Sequence, residues 1–143
     1  MEVNRLFVYG TLMLDDVIEL LIDRVPDHGV ATAPGWRVVS LPGRVYPGLI
    51  RSDGAASGRI YTDVTDDEMD ILDAFEDPGY QLVSLHTAPG DIPALSYAWS
   101  NDHLDGPWSL SDFQNNDSVA YLGRCRTWRQ RYEVARRKTP EPR

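Results

Sequence analysis

Cysteine is nearly missing from this 143-residue chain: Cys125 stands alone, which excludes an intrachain disulfide. A lone thiol suits a reducing compartment. Long apolar runs are missing too, and none approaches the roughly 20 residues that a membrane span needs. The opening Met1-Glu2-Val3-Asn4-Arg5 has neither the basic nor the apolar region of a signal peptide. A cytoplasmic protein with no membrane partner is therefore expected. Basic residues are scarce over most of the length. Residues 1–123 carry 20 acidic and 6 basic side chains, and residues 124–143 carry 2 and 8, for a net charge of -8. An acidic body repels phosphate, so nucleic acid is not expected as a partner. The basic C-terminal stretch reads as a solvated helix face, with a surface for an acidic partner or nucleic acid as the alternative.

Several chemical signatures are missing as well. There is no Gly-x-Gly-x-x-Gly or Walker pattern for a nucleotide and no Gly-x-Ser-x-Gly elbow for a serine nucleophile. His28, His86 and His103 have no metal-ligand spacing with one another or with Cys125. No cofactor or metal is expected. Cys125 falls at an amphipathic helical position and reads as core.

What is present is ordinary globular composition, 42% apolar and 25% charged. It is enough for one domain over residues 1–137, followed by a Pro-containing tail at 138–143 that is expected to be disordered. Leu6-Phe7-Val8-Tyr9 reads as a buried strand closed by Gly10. A helix follows, with Asp15 and Asp16 in its first turn and Val17, Leu20 and Leu21 on one face, ended by Pro26. Trp36 to Leu41, an interrupted Tyr46 to Ile50, and Gly58 to Val64 read as strands, with Ser52-Asp53-Gly54 as a turn. Thr65-Asp66-Asp67-Glu68 is a capping box that opens a helix running to about Glu76, stopped by Asp77-Pro78-Gly79. Leu82 to His86 and Leu95 to Trp99 are further strands. Pro107 to Phe113 has no clear assignment. Val119 to Ala135 reads as a long helix with Leu122, Cys125, Trp128 and Tyr132 at helical spacing and arginines elsewhere. The mixture predicts an α+β domain or a small mixed barrel.

Two places can carry chemistry. At Tyr9-Gly10-Thr11-Leu12 a strand runs into a glycine turn and then a helix. Glycine permits close backbone approach, and the first N–H groups of a helix are free to meet a carboxylate or a developing oxyanion. A plain turn is the bland reading. The second place is Glu76, which shares a helix face with Met69 and Leu72. Burial and the helix C-terminus both raise a carboxyl pKa toward the range useful for proton transfer. The alternative is a helix-end residue that turns outward. Asp66, Asp67, Asp70, Asp73 and Asp77 read as solvated or capping acids. Tyr9, Tyr46 and Tyr80 each sit beside a turn or glycine, where a phenol can reach a cleft or simply pack.

In order along the chain, Phe7-Val8-Tyr9-Gly10-Thr11-Leu12, Tyr46-Pro47-Gly48, Gly58-Arg59-Ile60-Tyr61 and Leu72-Asp73-Ala74-Phe75-Glu76-Asp77-Pro78-Gly79-Tyr80 resemble the γ-glutamylcyclotransferase-like family, especially its avirulence-induced-gene-like branch. The resemblance covers most of residues 6 to 99. It implies a small mixed β-barrel flanked by helices, with a long C-terminal helix beyond the shared core. It also implies that Tyr9, Gly10, Thr11 and Leu12 hold a γ-glutamyl group and that Glu76 is the acid/base; Tyr46 and Tyr80, from their places beside turns, are expected to bind substrate as well. The implied reaction gives 5-oxoproline and a released amine with no metal or nucleotide. A small-molecule binding module on the same barrel is the alternative. The leaving amine and the oligomeric state stay open.

Overall fold

The computed structural model describes residues 3–138. The chain runs β1 (Val3–Val8), a 3₁₀ turn (Thr11–Met13), α1 (Asp15–Ile22), β2 (His28–Val39) and β3 (Gly48–Thr65). It continues through α2 (Asp66–Phe75), β4 (Tyr80–Thr87), β5 (Ile92–Trp99), α3 (Leu110–Asn116) and α4 (Ser118–Lys138). This is the expected α+β architecture. The five strands form one mixed sheet in the order β2-β3-β1-β5-β4. Its pairs are antiparallel except β1 with β5, which is parallel. The sheet curls until its edges meet. Thr32 of β2 and Ala88, just past β4, exchange backbone hydrogen bonds of 3.0 and 2.8 Å.

β1 is the axis of the molecule because both of its faces are covered. Leu6 and Val8 point into a core shared with the helices, where they meet Val17, Ile18, Leu21, Leu72 and Phe113. Phe7 and Tyr9 point into the curl, against Ala31, Ala33, Leu49, Ile60 and Ala98. A strand buried on both faces reads as a continuous apolar run, which is what Leu6 to Tyr9 is.

Three expectations are corrected. Ser52-Asp53-Gly54 is no turn. β3 continues through it as a bulge, with Ser52, Asp53 and Gly54 unpaired where the register shifts between Pro34 and Trp36 of β2. Those polar residues sit on a strand stretch that does not face the core, so they carry no signal of a reversal. β2 also starts at His28, eight residues before the expected Trp36, because Ala31 and Ala33 are small core residues that fill the curl without an apolar run. The first helix ends at Ile22, four residues ahead of Pro26, with Asp23 capping it in the left-handed conformation at φ 63°.

The unassigned Pro107–Phe113 stretch leads into α3, which seats Phe113 in the core. α4 begins at Ser118 and reaches Lys138. The rest of the expected tail, 139–143, lies outside the described residues. α4 packs along α1, and Arg129 on its inner face donates to the Leu21 carbonyl at 2.8 Å, at the C-terminal end of α1.

Candidate active site

β1 delivers its last residue and the following turn to a cavity of about 220 Å³. The sheet supplies Tyr80 and Tyr97, and the segment after β1 supplies Tyr9, Gly10, Thr11 and Leu12. The loop before β3 adds Tyr46 and Pro47, the end of α2 adds Phe75, Glu76 and Asp77, and α4 adds Tyr121, Arg124 and Trp128. Every residue singled out from the sequence, namely Tyr9, Gly10, Thr11, Leu12, Tyr46, Glu76 and Tyr80, lines this one cavity.

The turn is held from three sides. The Tyr61 hydroxyl donates to the Leu12 carbonyl at 2.5 Å, and Thr11 Oγ1 donates to the Tyr121 hydroxyl at 3.3 Å. Pro47 lies against Gly10, where an added Cβ would meet the proline ring at 2.6 Å. Glycine is thus required here by a neighbouring ring. The turn is 3₁₀, closed by Met13 N–H to Gly10 O at 3.0 Å, and α1 starts only at Asp15. Among the residues that line the cavity, free amides therefore belong to the short turn and not to α1. Among the described residues, the Thr11 and Leu12 amides have no acceptor.

Glu76 caps the C-terminus of α2, its N–H donating to Leu72 O at 3.0 Å. Its backbone is extended, at φ -66° and ψ 146°, and its side chain points into the cavity wall. Among the described residues its carboxyl has no hydrogen-bond or ion-pair partner. The residue keeps some accessibility through the cavity, yet protein surrounds it. Burial, then the charges of Asp77 and Asp73, push its pKa up to about 8.

Of its acidic neighbours, Asp73 is exposed as expected from the sequence, but Asp77 is not the solvated group expected. Asp77 accepts from the Tyr46 hydroxyl at 2.5 Å, the Gly79 amide at 2.8 Å and Arg44 Nε at 2.9 Å. Burial pulls its pKa upward, but these donors outweigh it and hold the carboxyl below its usual value. Asp73 accepts from the Tyr97 hydroxyl at 2.5 Å. The turn residues after α2 fold back on the cavity, and helix periodicity does not report that. The C-terminal end of α2 thus holds one carboxylate firmly ionised beside another that keeps its proton near neutrality.

Phenols complete the wall. Tyr9 donates to the Tyr97 carbonyl and Tyr80 to the Pro47 carbonyl. Burial raises the pKa of Tyr9, Tyr80, Tyr97 and Tyr121, and the Glu76 charge adds to each. They stay protonated as donors. Sequence reasoning misses Tyr97, Tyr121, Arg124 and Trp128 as site residues. For α4 a signal exists: Tyr121, Arg124, Cys125 and Trp128 follow i, i+3, i+4, i+7 and form one stripe. Placing the arginines on the far face hides it. Cys125, the fully buried member of that stripe, is core as expected, and burial lifts its thiol to about 12.

Fold and site together define a class: a curled mixed sheet with helices on one side and a tyrosine-lined pocket of small-molecule size. The family model described as "Gamma-glutamyl cyclotransferase, AIG2-like" matches residues 6–116, and the chain belongs to that family. It is 35% identical to AIG2-like protein D of Arabidopsis thaliana over 129 residues, 83% of this chain and 84% of that protein. AIG2-like protein C of the same plant is 33% identical over 125 residues, covering 82% and 73%. A solution structure of an Arabidopsis thaliana protein superposes with a TM-score of 0.67 at 28% identity, over 99% of this chain and 97% of that one. A structure named gamma-glutamyl cyclotransferase gives 0.62 at 18% identity, over 87% and 86%, which is a likeness of fold. Among the described residues, no helix is long and apolar enough to cross a membrane.

Proposed function

We propose that this chain is a γ-glutamyl cyclotransferase, releasing 5-oxoproline and an amine from a γ-glutamyl compound, with Glu76 as acid/base. The observation that carries the reading is the meeting of Glu76 and the Tyr9–Leu12 turn in one cavity. Family membership is in accord with it.

The chemistry follows from the groups present. The substrate brings its own nucleophile, the α-amine, which is charged until a base removes a proton. A carboxyl with a pKa near 8 is a strong enough base for that proton and a strong enough acid to return it. The freed nitrogen attacks the γ-carbonyl carbon, and a C–N bond forms. The oxygen of the tetrahedral intermediate takes its hydrogen bonds from the unclaimed Thr11 and Leu12 amides. The bond to the leaving nitrogen then breaks as Glu76 protonates it. The ring nitrogen still carries one proton too many, and it passes this second proton through the regenerated Glu76 carboxylate to the released amine, which departs as an ammonium, so atoms and protons balance without a further reactant. Because ring closure joins two ends of one molecule, a pocket that holds the substrate folded supplies much of the acceleration. Tyr46 and Tyr80 narrow the cavity around that conformer, and a cytoplasmic pool of γ-glutamyl compounds is the setting in which it would act.

The test is 5-oxoproline release from a panel of γ-glutamyl amino acids and amines. Wild type should turn over at least one, and Glu76→Gln should lose about a hundredfold or more in kcat while still unfolding in one cooperative transition. A folded Glu76→Gln with the wild-type rate ends the assignment of Glu76. No 5-oxoproline from any substrate ends the enzyme reading in favour of a binding module.

A further inference from the structure

Arg124 is the one cation among the described residues that line the cavity. Arg44 approaches the same rim but is paired with Asp77 at 2.9 Å. Arg24, Arg59 and Arg129 also have carboxylate partners, at 2.6 to 2.7 Å. Among the described residues, Arg124 has none. Its guanidinium carbon lies over the Tyr121 ring, 5.6 Å from the centroid, which orients the planar group without neutralising it. No cation contributes to the pKa of Glu76, so the Arg124 charge is not spent on that carboxyl.

Arg124 also sits at a particular depth. It is exposed, while Tyr121 one turn before it is 5% exposed and the Gly10–Leu12 turn is buried. Its neighbours at that level are the half-buried Trp128 and Phe75, whose rings meet edge to face at 5.0 Å. The inner end of the cavity therefore has Glu76 and free amides, and the outer end has an unpaired guanidinium beside an aromatic wall.

We propose that Arg124 determines substrate specificity by binding a carboxylate on the leaving group at the cavity mouth, so that the substrates are γ-glutamyl-α-amino acids and not γ-glutamyl amines. This rests on the cyclotransferase reading of the same site. With the γ-carbonyl between Glu76 and the turn amides, the leaving nitrogen and its substituents run outward. An α-amino acid leaving group has its carboxylate two bonds from that nitrogen, and a guanidinium takes a carboxylate through two parallel N–H bonds. The side chain of the leaving amino acid then rests against Trp128 and Phe75.

The probes are γ-glutamyl-phenylalanine and its decarboxylated counterpart γ-glutamyl-phenethylamine, which differ only in that carboxylate. Wild type should favour the acid by about tenfold or more in kcat/KM. In Arg124→Met the preference should collapse by about ten- to hundredfold, through KM for the acid. Arg124→Lys should recover part of it, since the charge remains but the fork is lost. Equal use of both probes by wild type, or an equal loss of both in Arg124→Met, overturns the proposal while leaving the cyclotransferase reading intact. If neither probe is turned over, calorimetric binding to folded Glu76→Gln decides it. A preference for the acid that Arg124→Met abolishes supports the proposal, and absence of that preference overturns it.

Discussion

At the scale of the residue, Gly10 shows how a motif position acquires a physical cause. From the sequence it stands for close approach of a ligand. In the fold it also stands for close approach of Pro47, whose ring would be 2.6 and 2.7 Å from any Cβ placed there. Proline has no flexible end to swing aside, and its carbonyl accepts the Tyr80 hydroxyl. Displacing it moves one wall of the cavity and the turn amides together. Gly10→Ala should therefore cost roughly 1–3 kcal/mol in stability, as overpacking does. It should lower kcat/KM more than that loss explains, because the protein that remains folded has its turn displaced. Denaturant midpoints and turnover measured at a temperature where both proteins are fully folded separate the two effects. A Gly10→Ala protein with wild-type stability would mean that Pro47 yields freely.

At the scale of the element, α2 fixes Glu76 from the opposite end. Thr65 Oγ1 accepts the Glu68 amide at 3.2 Å and the Glu68 side chain returns to the Thr65 amide at 3.0 Å. Glu68 in turn holds Arg24 at 2.6 Å. Met69, Ile71 and Leu72 bury the inner face, and one residue past Phe75 the chain places Glu76 in the cavity. Thr65→Ala should cost about 1 kcal/mol, the usual worth of such a cap, and Thr65→Ser very little. Urea unfolding gives both numbers. The pH dependence of turnover should not change in either, since the cap lies a full helix away from Glu76. This element is legible in the sequence because each of its devices is local: a capping box, a 3.6-residue stripe and an Asp-Pro-Gly stop. What lies across the chain is not. Asp77 reads as a surface acid, and the exposed Asp73 as one without a partner, because their partners, Tyr46 and Arg44 for the first and Tyr97 for the second, are 31, 33 and 24 residues away. The continuity of β3 across Ser52-Asp53-Gly54 is hidden for the same reason, since it comes from pairing with β2 on either side, at Arg51 and at Ala55.

At the scale of the whole molecule, folding brings an acidic side chain into a place that none of its own devices neutralises. β1, α2, β4, β5 and α4 converge on the cavity, and together they take Glu76 from its ordinary 4.5 to about 8. The folded protein thus holds the Glu76 proton more tightly than the unfolded chain does. Between about pH 4.5 and pH 8 the unfolded chain has released this proton and the folded one has kept it. Linkage then requires stability from this group to fall as pH rises through that window and to level off above it. The amide introduced by Glu76→Gln does not titrate, so the variant lacks the fall. The sign is fixed: Glu76→Gln should gain on wild type as pH increases, by on the order of 2–4 kcal/mol between about pH 4.5 and pH 8.5. The tyrosines that feel the Glu76 charge titrate above this window and Asp77 below it, so the difference reports Glu76. Urea unfolding of the pair at half-unit steps across this range measures it. If the difference stays flat with pH, folding does not perturb Glu76, and a carboxyl with an ordinary pKa would be almost wholly ionised at neutral pH and a poor proton donor to a leaving nitrogen. If it rises with a midpoint in that window, the group that weakens the fold is the same one that the chemistry uses.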